Sequence, residues 1–204
     1  DSDPNGRWCN WALPGDVNGA TPAGNWSDYQ GLGYDDQAVY VVPNQFSFAG
    51  PFDYTKIRIL PMATLYNATC PAITWTGLWD LRFPEFRGIS EFLDFPVFTV
   101  RPAVTFDAPG VEHLMADRYL ESPFNDFMVV YSLTDPLTSP TLTATSIDVA
   151  PSDPPADANQ RDGSTPDPTN DPNCSDPCLI DVGGDRIRNV VYRNGSLWTS
   201  HTVA

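Results

Sequence analysis

Lysine is nearly missing from this chain, with one residue in 204, and glutamate stands at four against 22 aspartates. The two charged residues that best support a helix are thus scarce, while proline reaches 21 residues, roughly twice its usual share of about 5%. That balance excludes a helical protein. Histidine is also sparse. His113 and His201 are too few and too far apart to suggest a triad, and each reads as a strand residue with a hydrogen-bond partner. No G-x-S-x-G elbow, H-E-x-x-H zinc motif or phosphate-cradling glycine loop is present, which removes the commonest sequence-readable catalytic classes. No apolar run approaches the ~20 residues that cross a bilayer, so a spanning helix is excluded. The opening Asp1-Ser2-Asp3-Pro4 lacks the basic and apolar regions of a signal peptide, and any export signal is expected to have been removed.

The charge that is present has one sign. A formal net charge of −15 repels nucleic acid phosphates and anionic lipid, leaving cations, neutral polymers such as glycans, and other proteins as partners. Apolar residues at 41% and aromatics at 12% suffice for a sizeable core and exclude disorder throughout, so residues 1–204 are read as a single domain. Four cysteines form an even set. Cys174 and Cys178 are close enough to close a small loop, with Cys9 and Cys70 as the remaining pair; the rival is a zinc site, for which one C-x3-C with two distant histidines is poor spacing. Asn25, Asn67, Asn173 and Asn194 each head an N-x-S/T tripeptide, a glycosylation acceptor in a suitable host, though such tripeptides also arise by chance. Disulfides and sequons together point to an extracellular location.

Strand-like segments rich in Val, Ile, Tyr, Phe and Thr recur between Gly, Pro, Asn and Asp: 37–42, 56–60, 98–101, 126–131, 142–147 and 189–192. In the third of the chain around Thr55–Leu60, Lys56 and Arg58 alternate with Ile57 and Ile59, as in a half-buried strand with its charges on the wet face. Short helical turns are expected only at 62–66 and 89–93. The fold class is all-β. A diffuse repeat lies over it: residues 32–40, 104–113 and 190–198 each read as a strand ending near an aromatic (Tyr34, Phe106, Tyr192), a polar turn, and a second strand. Asn194-Gly195 is a strong two-residue hairpin signal. A further strand pair follows each of the first two hairpins, 56–60 with 72–76 and 127–131 with 141–147. Four antiparallel strands per unit describe blades of a β-propeller. A β-sandwich is the alternative.

Asn25-Trp-Ser-Asp-Tyr-Gln-Gly-Leu-Gly-Tyr-Asp35, Val100-Arg-Pro-Ala-Val104 and Gly184-Asp-Arg-Ile-Arg-Asn-Val-Val-Tyr-Arg-Asn-Gly-Ser-Leu-Trp-Thr-Ser-His-Thr202 resemble secreted bacterial β-propeller proteins of the sialidase-like kind, many of them uncharacterised. The resemblance spans nearly the whole chain and implies a scaffold. With residues 7–13 taken as an outer strand of a preceding blade, it implies about two full four-stranded blades and two partial ones, hence a portion of a propeller completed by the remainder of a longer chain or by other copies.

A Pro- and Asp-rich insertion at 150–178 carries almost no apolar residue. Most such stretches are solvated linkers, but Asp157, Asn159, Asp162, Asp167 and Asp171 cluster the hard oxygen ligands that calcium takes in sets of ~6 to 8, and loosely resemble thrombospondin type 3 loops. Asp16-Val-Asn18-Gly19 is a shorter candidate for the same ion. Sialidase-like chemistry would need an arginine cluster and a Tyr-Glu nucleophile pair. Arg58, Arg101, Arg118 and Arg186 are available for the first, and Glu85, Glu91, Glu112 and Glu121 for the second, but no spacing selects a pair and the Asp-box pattern is missing. Arg101 before Pro102 reads better as a structural partner of a buried Asp. The six tryptophans, Trp8, Trp11, Trp26, Trp75, Trp79 and Trp198, are expected to pack between sheets, with sugar-stacking platforms as the alternative. These readings converge on a non-catalytic extracellular module that serves as a scaffold or adhesion surface for glycan or protein. The alternatives are a fragment of a sialidase-like glycoside hydrolase and a structural subunit of an extracellular assembly.

Overall fold

The computed structural model describes residues 5–6, 8–84, 95–118, 127–150 and 186–201. The helix expected at 89–93 and the insertion from residue 151 onward lie outside them, as do Glu85, Glu91 and Glu121. The described residues are all-β apart from one helical turn, α1 (Met62–Leu65). A small hairpin, β1 (Val17–Asn18) and β2 (Thr21–Pro22), precedes the main sheet. Two antiparallel meanders follow. The first is β3 (Asn25–Tyr34), β4 (Ala38–Ser47), β6 (Ile57–Pro61) and β7 (Thr76–Leu78), with β5 (Phe52–Thr55) pairing along the far half of β4. The second is β8 (Arg101–Thr105), β9 (Glu112–Arg118), β10 (Phe127–Thr134) and β11 (Thr141–Asp148). A hairpin of β12 (Asn189–Arg193) and β13 (Ser196–Ser200) turns at Asn194-Gly195, both at positive φ as a two-residue turn requires.

The first strands of the three units run parallel to one another. Tyr34 of β3 is paired with Val104 of β8, and Ala103 to Thr105 of β8 are paired with Val190 to Tyr192 of β12, so the meanders join into one curled sheet. The three repeat aromatics therefore gather at one end, where the Phe106 N–H donates to the Tyr192 carbonyl. Glycine makes the junction of β3 and β8 possible. A Cβ on Gly33 would collide with the Ala103 carbonyl oxygen, and one on Gly31 would sit 2.9 Å from Pro102 Cδ.

The two meanders share one core. Ala38, Tyr40 and Val42 of β4 and Ile57 and Ile59 of β6 meet Leu114 and Ala116 of β9 and Phe127, Val129, Tyr131 and Leu133 of β10, with Leu81, Phe83, Val97 and Val100 between them. Strict alternation along β10 accounts for its side of this core, since every second side chain points inward. Met115, Met128 and Val130 on the opposite face of the second meander pack with Ile187, Val190 and Leu197, so the third hairpin covers that face.

Four expectations need correction. Residues 8–14 form no strand; Cys9 is joined to Cys70 by a disulfide, and the Trp11 indole N–H donates to the Pro71 carbonyl at 2.9 Å, which ties this segment to the loop after α1 instead of to a sheet. The strand expected at 72–76 begins only at Thr76. The strand expected at 98–101 begins at Arg101 because Thr99 sits at a φ of 60°, held by the Asn44 side chain, which accepts from the Thr99 N–H at 2.9 Å and donates to its hydroxyl at 3.0 Å. Finally, the charged face of β6 is not wet. Lys56 is 2% exposed, and its ammonium donates to the carbonyls of Gly15 and Val17 at 2.8 and 2.9 Å, while Arg58 donates to those of Pro14 and Val17. Backbone carbonyls of the β1–β2 segment thus serve two protein cations. Of the Asp16-Val-Asn18-Gly19 stretch, the Val17 carbonyl takes part in this clamp, the Asn18 amide donates to the Tyr54 hydroxyl at 2.7 Å, and Gly19 takes the positive φ of a turn.

Candidate functional site

The parallel first strands leave a groove of about 590 Å³ on their outer side. Alternation decides what lines it. Gln30 and Leu32 of β3, Pro102 and Val104 of β8, and Asn189 and Val191 of β12 face it, and Phe106 closes one end with 63% of its surface exposed. Arg101 and Arg188 stand at the other end.

A β-bulge builds that basic end. Between Asp28 and Gly31 the register of β3 against β4 slips, and Tyr29 adopts a φ of 51°, which a bulky residue rarely takes. The Tyr29 N–H is captured by the Asp28 carboxylate at 2.8 Å. The bulge turns the Tyr29 ring under the Arg101 guanidinium, 4.4 Å from the ring centroid, and sets its hydroxyl against Arg188. Arg101 is itself buried, and donates from Nε to the Ile187 carbonyl at 3.3 Å and from NH1 to the Tyr29 carbonyl at 3.5 Å. The partner expected for it was a buried Asp; it is held instead by two carbonyls and an aromatic face. The buried Asp35 is used elsewhere: it accepts from the Gln37 and Ala38 N–H groups and from the Tyr40 hydroxyl, each at 2.8 Å.

The four arginines singled out from sequence do not act together. Arg58 lies 5.3 Å from the Trp75 ring, Arg118 lies 5.6 Å from that of Phe83, and Arg186 lies 4.9 Å from that of Phe98; only Arg101 reaches the groove. Its companions there, Arg188 and Tyr29, escaped the sequence reading. Of the glutamates, Glu112 is described and is 0% exposed. One carboxyl oxygen accepts from the Thr105 hydroxyl at 3.1 Å, and loss of hydration, aided by the nearby Asp35 charge, outweighs this bond and those from the Ala103 and His113 backbone and pushes its pKa up to about 8. Thr105 points to the face of β8 opposite Val104, so Glu112 is not a groove residue. His113 is a strand residue beside Ser132, ring nitrogen to hydroxyl 3.3 Å, and burial lowers its pKa.

No family model, curated protein or solved structure matches this chain. The site is therefore read from its own geometry. Of the sequon asparagines, Asn67 and Asn194 are exposed, whereas the Asn25 amide nitrogen is buried and donates to Asp53 at 2.9 Å, leaving no room for a glycan on it in the folded chain. Asn173, the pair Cys174 and Cys178, and the oxygen cluster Asp157, Asn159, Asp162, Asp167 and Asp171 lie outside the described residues. Among the described residues no group of three or more His, Cys, Asp and Glu side chains is placed to hold a metal ion, and no helix is long and apolar enough to cross a membrane.

None of the six tryptophans is buried. The core takes Tyr40, Tyr131, Phe83 and Phe127 for its large rings, and Trp8, Trp26, Trp79 and Trp198 are exposed. Tryptophan here belongs to the surface, which reverses the expectation of packing between sheets.

Proposed function

We propose that the chain is a secreted, non-catalytic module built of β-propeller blades, and that the groove along its first strands is an adhesion surface for a carboxylate-bearing glycan. The propeller reading is supported by two four-stranded meanders in sequence order, by first strands that run parallel beside one another, and by successive units packed face to face. A sandwich would account for the shared core alone. Extracellular placement is supported by the Cys9–Cys70 disulfide.

The observation that carries the ligand reading is the pair Arg101 and Arg188 around Tyr29. In a chain of net charge −15, two guanidinium groups at the end of an apolar trough favour an anionic group on an otherwise neutral, partly apolar ligand. The described lining offers donors and apolar surface but no carboxylate or imidazole to act as acid or base, which supports binding over hydrolysis. Oligosaccharides of uronic or sialic acids should bind in calorimetry, with Arg188→Ala weakening them about tenfold while the fold persists. Absence of binding at millimolar concentration, or equal binding by the variant, sinks the reading.

Calcium at Asp157, Asn159, Asp162, Asp167 and Asp171 is proposed alongside, on the density of oxygen ligands in the sequence. The protein should then melt several degrees higher in calcium than in chelator, and identical melting removes the ion.

A second reading, a structural subunit joined through strand edges, is favoured by β13. In the other two units the second strand is paired on both sides, but β13 pairs among the described residues only with β12, and Trp198 on it is 66% exposed.

A further inference from the structure

The disulfide loop carries a second groove, of about 600 Å³, away from the first-strand groove. Its walls are the rings of Trp8, Trp11 and Tyr66, its floor is Val39 and Leu65, and Asn67 stands on its rim. Trp8 is 60% exposed and Tyr66 80% exposed. The core is filled by other aromatics, and holding as much apolar surface in water as Trp8 and Tyr66 do is unfavourable unless something is gained from it.

Three features narrow the occupant. Among the described residues no charged side chain lines the groove, in a chain that carries 26 acidic residues, and this favours a neutral ligand. The rings are presented on a braced frame: Cys9 is joined to Cys70, the Trp11 indole is bonded to Pro71, and the Asn67 side-chain oxygen accepts from the Thr69 N–H and hydroxyl at 2.9 and 2.7 Å. Rings fixed in advance lose little freedom when a ligand arrives. Flat faces beside an amide also match one chemistry well. A pyranose ring has an apolar face of C–H groups that lies on an aromatic ring, and hydroxyls at its edge for hydrogen bonds to an amide such as that of Asn67.

We infer that the groove of Trp8, Trp11 and Tyr66 binds a neutral oligosaccharide by stacking of its sugar rings. This site goes beyond the acidic-glycan reading and does not depend on it. The probes are hexasaccharides of β-linked glucose and of N-acetylglucosamine, titrated against the full chain with its disulfide intact, with tryptophan fluorescence and calorimetry as readouts. At least one should bind with a shift in emission. Trp8→Ala and Tyr66→Ala, both at exposed positions, should each weaken it tenfold or more with melting unchanged, and Arg188→Ala should leave it unaltered. No binding of either probe at 10 mM, as an order-of-magnitude ceiling for specific recognition, overturns the inference. So does binding that survives both aromatic variants, or that is lost only with Arg188→Ala. Light scattering that finds a dimer which Tyr66→Ala dissociates also overturns it, by making the groove a contact between copies.

Discussion

Glu112 shows how a single side chain can set a pH dependence for the whole sheet. Its carboxyl is ordinary in the unfolded chain, near 4.5, and is pushed up to about 8 inside, so the folded state holds a proton that the unfolded state releases. Its contribution to stability is complete below the unfolded value and is lost as pH rises through the folded one. Lys56 has the opposite sign. Burial first, and Arg58 second, lower it from 10.5 to about 8, so the penalty for holding its charge is present below pH 8 and is relieved toward 10.5. The two windows do not overlap. Urea unfolding at pH 5 and pH 8.5 should therefore show the wild-type midpoint falling relative to Glu112→Gln, which keeps a neutral group at all these values; parallel behaviour of the two proteins would place the carboxyl in a solvated site instead. Asp35 is the charged neighbour that matters, and the Tyr40 hydroxyl bonded to it is itself pushed upward by burial and by that carboxylate.

Among the elements, β10 was the most legible in sequence and β6 the most misleading. In β10, alternation and burial agree, because one face meets the shared core and the other is only partly covered. At the start of β6 the same alternation placed Arg58, and Lys56 just before the strand, on a wet face, and sequence had no means of showing that the carbonyls of residues 14–17 would fold over them. The turn of the β12–β13 hairpin was readable because Asn-Gly chemistry is local. The Tyr29 bulge was not, since its positive φ is imposed by the pairing of β3 with β4 and its close approach to β8. The basic end of the groove was hidden for that reason: Tyr29, Arg101 and Arg188 are distant in sequence, and only the parallel strands bring them together. The disulfide was readable as a pairing but not as a brace. Closing 61 residues, it should contribute about 4 kcal/mol by chain entropy, an upper value if the unfolded chain keeps structure. Denaturant unfolding with and without reductant measures this, and a loss under 1 kcal/mol would mean that the loop after α1 is held by its hydrogen bonds alone.

For the whole molecule, the arrangement of units predicts where association occurs. In a two-residue hairpin the pairs Arg193 with Ser196 and Val191 with Trp198 exchange the hydrogen bonds, which turns the backbone N–H and C=O groups of Leu197 and Thr199 away from β12. Thr199→Pro removes one outward donor and no backbone bond of the hairpin, at the loss of the bond from the Thr199 hydroxyl to the Asn189 carbonyl at 2.8 Å. Concentration-dependent oligomers of the wild-type chain should be lost in this variant, as read by light scattering, whereas the same mass for both at every concentration would mean that β13 is not a contact. The clamp on Lys56 has a further practical meaning. With the only lysine enclosed, the folded chain presents no side-chain amine to acylating reagents, and surface immobilisation or crosslinking through lysine fails by construction. Acylation at Lys56 instead becomes a clock for the lifting of the β1–β2 flap, with one reactive atom and one opening event.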